Sequence, residues 1–330
     1  MQPSLEASKN PDETEDADVR FFKRLCLPYL RGTQNADGGW GFSRGSASRT
    51  EPTAWALLAL NEFSSVSASD EALARGYQFL EHTQLPGGSW VAAAGQEQGC
   101  WVTSIACWAL LAREGRKSQS LSRGLYYLIK ELPANSRFRW RLIRSFTANR
   151  RVLAQNDSYY GWSWTHGTAS WVEPTAYALI VLRSSSAHLL SGKANRRIQR
   201  AEAMLYDRMC PGGGWNCGNP MVYGVAGEAQ IGPTVWALLA LRHNSERPEN
   251  KESLEWLEEH WNRVPTLASL SLTHIALDLF GRTNREVEQL LHRCCEKSDT
   301  SWNIPGVSWA ALAMSGKQQW LKLADLSGAS

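Results

Sequence analysis

Arg75-Gly76-x-x-Phe79-Leu80-x-x-x-Gln84-x-x-x-Gly88-x-Trp90 is the stretch on which the fold turns, because the chain carries it more than once. An earlier copy reads Tyr29-Leu30-x-x-x-Gln34-x-x-x-Gly38-x-Trp40, a later one Arg200-Ala201-x-x-Met204-Leu205 followed by Gly213-x-Trp215, and Arg123-Gly124-x-x-Tyr127-Leu128 opens another. Each copy leads through a glycine-rich turn into an Ala/Leu-rich run. These runs are Pro52-Thr53-Ala54-Trp55-Ala56-Leu57-Leu58, Cys107-Trp108-Ala109-Leu110-Leu111, Pro174-Thr175-Ala176-Tyr177-Ala178-Leu179 and Pro233-Thr234-Val235-Trp236-Ala237-Leu238-Leu239. Degenerate copies follow near Thr273 to Phe280 and Gly306 to Met314. Self-similarity of this kind decides the architecture before any single residue does.

Each unit reads as two helices. In Glu71 to Thr83 the residues Leu73, Ala74, Tyr77, Phe79 and Leu80 recur at helical spacing among Glu, Arg and Gln, which predicts an amphipathic helix. The trailing run is apolar all round, as a helix buried on both sides must be. Proline in its first turn fits, since the missing N–H would have no partner there. An outer ring of amphipathic helices around an inner ring of apolar ones satisfies six such units at once. The all-α expectation is therefore one array of helical hairpins over residues 19–325, closed on itself or stacked as a solenoid, after an acidic tail at 1–18.

That tail carries Glu6, Asp12, Glu13, Glu15, Asp16 and Asp18 against Lys9 and has no apolar core, so it reads as disordered and not as a signal or transit peptide. No stretch reaches the roughly 18 apolar residues of a membrane span. With 35 Lys+Arg against 32 Asp+Glu the chain is nearly neutral, which argues against a nucleic-acid partner. Its seven cysteines are too few for a disulfide scaffold, so reduced thiols and a cytoplasmic location are expected. The unusual feature is 16 Trp against 8 Phe, a composition suited to an aromatic-lined cavity.

The Gln-x-x-x-Gly-x-Trp turns with their Arg-Gly-x-x-aromatic-Leu lead-in resemble the QW repeats of squalene and hopene cyclases, and the same helical pairs build the β subunits of protein prenyltransferases. The resemblance runs from about residue 20 to 316 and implies an (α/α)6 toroid. Gln34, Trp40, Gln84 and Trp90 read as scaffold, the Gln satisfying a helix end and the Trp packing over the Gly turn.

Class II terpene cyclases protonate an alkene with a carboxylic acid in an Asp-x-Asp-Asp motif. No such motif is present here. In those cyclases it precedes a Thr-Ala helix opening, so the matching places are Trp171-Val172-Glu173-Pro174 and Arg49-Thr50-Glu51-Pro52. The resemblance makes Glu173, flanked by Trp162, Trp164 and Trp171, the candidate general acid, with Glu51 the weaker candidate. The plainer reading is that each glutamate sits in a first helical turn and complements the macrodipole. The expected pore lining is Trp55, Trp108, Trp162, Trp164, Trp171, Tyr177 and Trp236, holding a polyprenyl chain.

Prenyltransferase β subunits hold zinc with an Asp-x-Cys pair and a later His. His274 resembles that His and is expected in the pore, but Gln230 and Gly232 stand where Asp-x-Cys belongs, so neither metal nor cofactor is expected. The 133–160 insertion carries Arg137, Arg139, Arg141, Arg144, Arg150 and Arg151, interleaved with Phe138, Trp140 and Phe146 and no acid from 137 to 151. Guanidinium groups suit a prenyl diphosphate head group. A solvated loop, or a surface that docks a partner protein, a lid domain or an anionic membrane, is the other reading. Three functions stay open at this point. They are a terpene cyclase-like enzyme, a non-catalytic toroid binding a hydrophobic ligand or partner, and a zinc prenyltransferase-like subunit.

Overall fold

The two-helix unit read from the sequence recurs six times around a closed ring. The computed structural model describes residues 16–64, 70–113, 118–137, 142, 155–185, 192–297, 302–316 and 319–321. Among them the outer helices are α1 (Ala17–Gly32), α3 (Glu71–Thr83), α5 (Gln119–Lys130), α7 (Gly192–Asp207), α9 (Pro248–His260) and α11 (Arg285–Glu296). The inner helices are α2 (Thr50–Glu62), α4 (Val102–Ala112), α6 (Val172–Ser184), α8 (Ile231–Ala240), α10 (Leu267–Leu279) and α12 (Ile304–Ala313). Each inner helix packs on the next, and α12 returns to α2, which closes the ring. The first outer helix, α1, packs against the last inner one, α12, so the two ends of the chain hold each other. Tyr29 Oη donates to the carbonyl of Trp302 across that seam at 3.0 Å.

The division into rings follows the hydrophobic pattern. Helix α3 starts where the Asp70 side chain accepts from the N–H groups of Ala72 and Leu73, and it buries Leu73, Gly76, Tyr77 and Leu80 on one stripe. In α2 every residue from Pro52 to Leu60 is buried, because outer helices cover one side and the ring axis the other.

The repeat motif is the joint between units. Gln84 Nε2 donates to the carbonyl of Gly88 within its own turn and to that of Ser120 in the next outer helix, both at 2.8 Å. Gln34 does the same with Gly38 and Ala72. Trp90 Nε1 donates to Leu80 O at 2.7 Å, and its backbone N–H reaches the Thr103 hydroxyl at 3.0 Å. The turn has no room for a side chain at its glycine: a Cβ on Gly88, where φ is +91°, would lie 2.6 Å from the carbonyl oxygen of Arg123.

One end of the axis is corked by the chain itself. Trp320 stacks on Trp108 with centroids 5.2 Å apart, and Trp108 Nε1 donates to Trp320 O at 2.8 Å. The buried carboxylate of Glu62 accepts from the N–H groups of Gln319 and Trp320 at 2.7 and 2.9 Å. Arg242 donates to Leu321 O at 2.8 Å. A charged group kept inside a protein needs such donors, and here they fasten the C-terminal stretch.

Two details differ from the sequence reading. Helix α1 opens at Ala17 with Asp16 accepting from the Asp18 N–H, so the last residues assigned to the acidic tail already belong to the first helix; residues 1–15 lie outside the described residues. A hairpin of two short strands, Met221–Val222 and Val225–Ala226, interrupts the helices before α8. Of the 133–160 insertion, only 133–137, 142 and 155–160 are described, with a single 3₁₀ turn at Ala134–Ser136. All seven cysteines are free, and among the described residues no helix is long and apolar enough to cross a membrane.

Candidate functional site

The loops that lead from outer to inner helices all open on the same end of the toroid, opposite the cork. The Trp-to-Thr hydrogen bond of the repeat fixes the register at this mouth. Backbone N–H groups of Trp40, Trp90, Trp162 and Trp215 donate to the hydroxyls of Thr53, Thr103, Thr175 and Thr234. Two residues before those threonines stand Glu51, Trp101, Glu173 and Gly232. These four occupy one structural position on four consecutive inner helices, so they face one another around the mouth. Trp101 stands between the two glutamates, and Gly232 leaves space beside the second: a Cβ there would lie 3.8 Å from Glu173 Oε1.

Neither carboxyl has a hydrogen-bond donor or a cation as partner among the described residues. Burial therefore raises both to about 7, and the negative charge of Glu173 adds to the rise at Glu51. Both are indeed first-turn residues, as the plainer reading held, and the dipole of each helix favours the charged form. Burial outweighs it. Charge on Glu173 disfavours charge on Glu51, so the two do not ionise independently. The same two carboxyls push up the buried hydroxyl of Tyr177, next to burial itself, and Glu51 adds to the rise of the Cys100 thiol.

Below the carboxyls the axis is filled. Trp55 and Trp236 stack with centroids 5.4 Å apart, and Trp55 meets Trp108 at 5.7 Å, Tyr177 at 6.2 Å and Trp309 at 5.5 Å. All but Trp309 are almost wholly buried. Of the aromatic residues expected to line the pore, Trp55, Trp108, Tyr177 and Trp236 pack ring on ring and fill the axis, because each is large enough to reach its opposite number across a ring of six helices.

Trp162 holds the scaffold position of the third repeat, donating from Nε1 to Leu128 O at 3.0 Å beneath the Arg197 guanidinium, 4.0 Å from its ring, and it also lines a small recess beside Cys100, Trp101 and His166. Its 13-residue spacing to Thr175, shared with Trp40 to Thr53 and Trp90 to Thr103, is the signal that identifies it. Trp171 caps α6 and stays half-buried. His274 faces away from the mouth, where the charges acting on it are Asp278, Glu288 and Asp18, and burial lowers its pKa. Arg137 is exposed, and Arg139, Arg141 and Arg144 lie outside the described residues. Among the described residues no three His, Cys, Asp or Glu side chains converge as a metal site.

Beside the carboxyls lies a cleft of about 410 Å³, walled by Cys100, Trp101, Trp164 and His166 with Gln96 and Gln98 at its edge. Two mouth loops meet there through an antiparallel bridge between Cys100 and Thr165. Trp101 and Trp164 cross edge to face at 4.8 Å, and on its other side Trp101 stacks on Tyr177 at 5.7 Å. One aromatic layer thus separates the cleft from the surroundings of the glutamates. Of this layer, Trp164 and Tyr177 are among the residues expected to line the pore, whereas Trp101 was not singled out by sequence reasoning, although the Glu-to-Thr spacing points to it.

The toroid has counterparts among solved structures. The model of the squalene-hopene cyclase C-terminal domain matches residues 12–101. The type II terpene cyclase MstE from Scytonema, in a variant solved with geranylgeranyl dihydroxybenzoate, superposes with a TM-score of 0.57 at 14% identity over 93% of this chain and 97% of that one. The fold is that of the type II terpene cyclases. A complex of another MstE variant with merosterolic acid A gives a TM-score of 0.56 at 13% identity, covering 93% of this chain and 98% of that one. ent-Copalyl diphosphate synthase from Streptomyces platensis gives 0.52 at 17% identity, over 81% of this chain and 50% of that one. No curated protein matches the chain in sequence. Within this terpene cyclase-type toroid, the paired glutamates sit where an inner helix opens, and the Trp-filled axis lies beneath them.

Proposed function

We propose that this chain is an isoprenoid isomerase of terpene cyclase type, in which the Glu51 and Glu173 pair holds the proton that starts the reaction and Glu173 delivers it. The observation that carries the reading is two half-buried carboxyls without a counter-cation among the described residues, set against aromatic faces. A linear Asp-x-Asp-Asp motif places acidic neighbours next to the donor in sequence. Here the acidic neighbour of Glu173 comes from another repeat, and the ring brings it close. A carboxyl that titrates near 7 keeps a proton available at neutral pH. The π faces of Trp101 and Tyr177 are suited to stabilising the cation that follows protonation of an alkene.

The ligand is a linear polyprenyl chain, a class supported by the likeness to MstE and its geranylgeranyl substrate. It binds at the mouth and in the adjoining cleft, whose volume of about 410 Å³ falls within the roughly 300–1,000 Å³ of small-molecule sites. The packed axis favours a second reading, a toroid that binds its ligand without turning it over. Incubation with geranylgeranyl dihydroxybenzoate in D₂O separates the two. A cyclised product carrying one deuterium at the protonated carbon, absent with Glu173→Gln, supports the enzyme; bound but unchanged ligand supports the silent toroid.

A further inference from the structure

A histidine–carboxylate pair stands at the cleft, and only its histidine belongs to the lining. Nδ1 of His166 lies 2.9 Å from Glu131 Oε1. Glu131 is the more buried partner, placed at the end of α5, with its own carbonyl accepting from Arg197 at 3.0 Å. When Nδ1–H donates to that carboxylate, Nε2 carries the lone pair, and among the described residues it has no partner. The walls of the cleft are the crossed rings of Trp101 and Trp164 together with Gln96, Glu97, Gln98 and Thr165, and the imidazole is exposed to it.

We infer that His166, oriented by Glu131, is the base that ends the reaction begun at the Glu51 and Glu173 pair. The inference rests on the acid-initiated reading above. Protons balance as follows. Glu173 gives its proton to one carbon of an alkene, and ring closures carry the positive charge along the chain towards the cleft. A C–H bond beside the final cation then breaks, its electron pair becomes the new C=C bond, and the proton goes to Nε2 of His166. The imidazolium formed is neutralised in place by Glu131 and returns its proton to solvent, while Glu173 regains one. The sum is an isomerisation, with no co-reactant consumed. His166 is the group that touches substrate; Glu131 is a positioning residue.

The test uses the full chain with geranylgeranyl dihydroxybenzoate in H₂¹⁸O, reading both consumption and product identity. The wild type is expected to give one cyclic alkene free of ¹⁸O. His166→Phe should still consume substrate, within about tenfold of wild type, but divert most product to an ¹⁸O-labelled alcohol or to alkenes with the double bond elsewhere. Glu131→Gln should shift the same ratio partway; a merely structural role would lower all products together. An unchanged product from His166→Phe, with Glu173→Gln inert, overturns the base and leaves the acid standing. No consumption by the wild type overturns both. As a readout without turnover, a cationic geranylgeranyl dimethylamine should move the ¹⁵N resonance of His166 in Glu173→Gln, and an unmoved resonance counts against a cation reaching the cleft.

Discussion

Glu51 and Glu173 hold the same place on two inner helices, each two residues before the threonine that receives a tryptophan N–H, and they flank Trp101, which holds that place on the helix between them. A repeat protein that puts one residue type at equivalent positions builds a constellation from residues far apart in sequence. The acid pair is such a constellation. Glu173→Gln removes the donor and is expected to lower turnover by about 10²- to 10⁴-fold. Glu51→Gln leaves a donor with less reason to hold its proton and should move the rate optimum to lower pH. Rates measured across pH 5 to 8 check both.

Stability should depend on pH through the same pair. Each carboxyl titrates near 7 in the folded chain against an ordinary value of 4.5. Between these pH values the folded state binds more protons than the unfolded one, so stability falls as pH rises through the window. The loss is at most about 1.4 kcal/mol per group and pH unit, and below the window it vanishes. Thermal melts at pH 4.5, 6 and 7.5 should show a falling Tm that flattens in Glu51→Gln with Glu173→Gln.

The repeat joints carry the fold. Trp90 is wholly buried and bonds both its own unit's helices, so Trp90→Ala should cost about 3–5 kcal/mol, a large part of a typical domain's stability. Gly213→Leu should do at least as much damage. At φ +95° its Cβ would meet the Glu252 carbonyl oxygen at 2.7 Å. Denaturant unfolding of either variant with wild-type midpoint would contradict the joint as described.

The cork at the far end is a stability element. Trp320→Ala removes the ring stacked on Trp108 and should lower stability by about 3–5 kcal/mol. The near-UV circular dichroism of the tryptophan pair should weaken with it. Loss of the signal without loss of stability would mean that Glu62 and Arg242 hold the stretch without its ring.

The repeats made the fold legible, down to the bounds of α3 at Glu71 and Thr83, because amphipathic and all-apolar runs alternate wherever one helix must shield another. Glu51 and Glu173 were legible one at a time. Their pairing was not, since sequence spacing does not say which helices of a ring have their first turns within reach. Whether the axis is open was not legible: tryptophan is an apt wall for a wide cavity, but in a ring of six helices Trp55, Trp236 and Trp309 meet. The scaffold role of Trp162 was not legible because the third repeat lacks the Gln and Gly that mark the first two, and only its distance to Thr175 betrays it. Nothing in the sequence foretold that Trp320 returns to Trp108.

The most direct test of the account is a carboxyl ¹³C NMR titration of the protein labelled at glutamate Cδ, in the wild type and in Glu173→Gln. The account predicts two carboxyls with midpoints near 7 in the wild type, and a midpoint for Glu51 that drops when residue 173 is neutral, yet stays above 4.5 because burial persists. Midpoints near 4.5 for both glutamates, or a Glu51 midpoint indifferent to the loss of the Glu173 charge, would contradict a shared acid site.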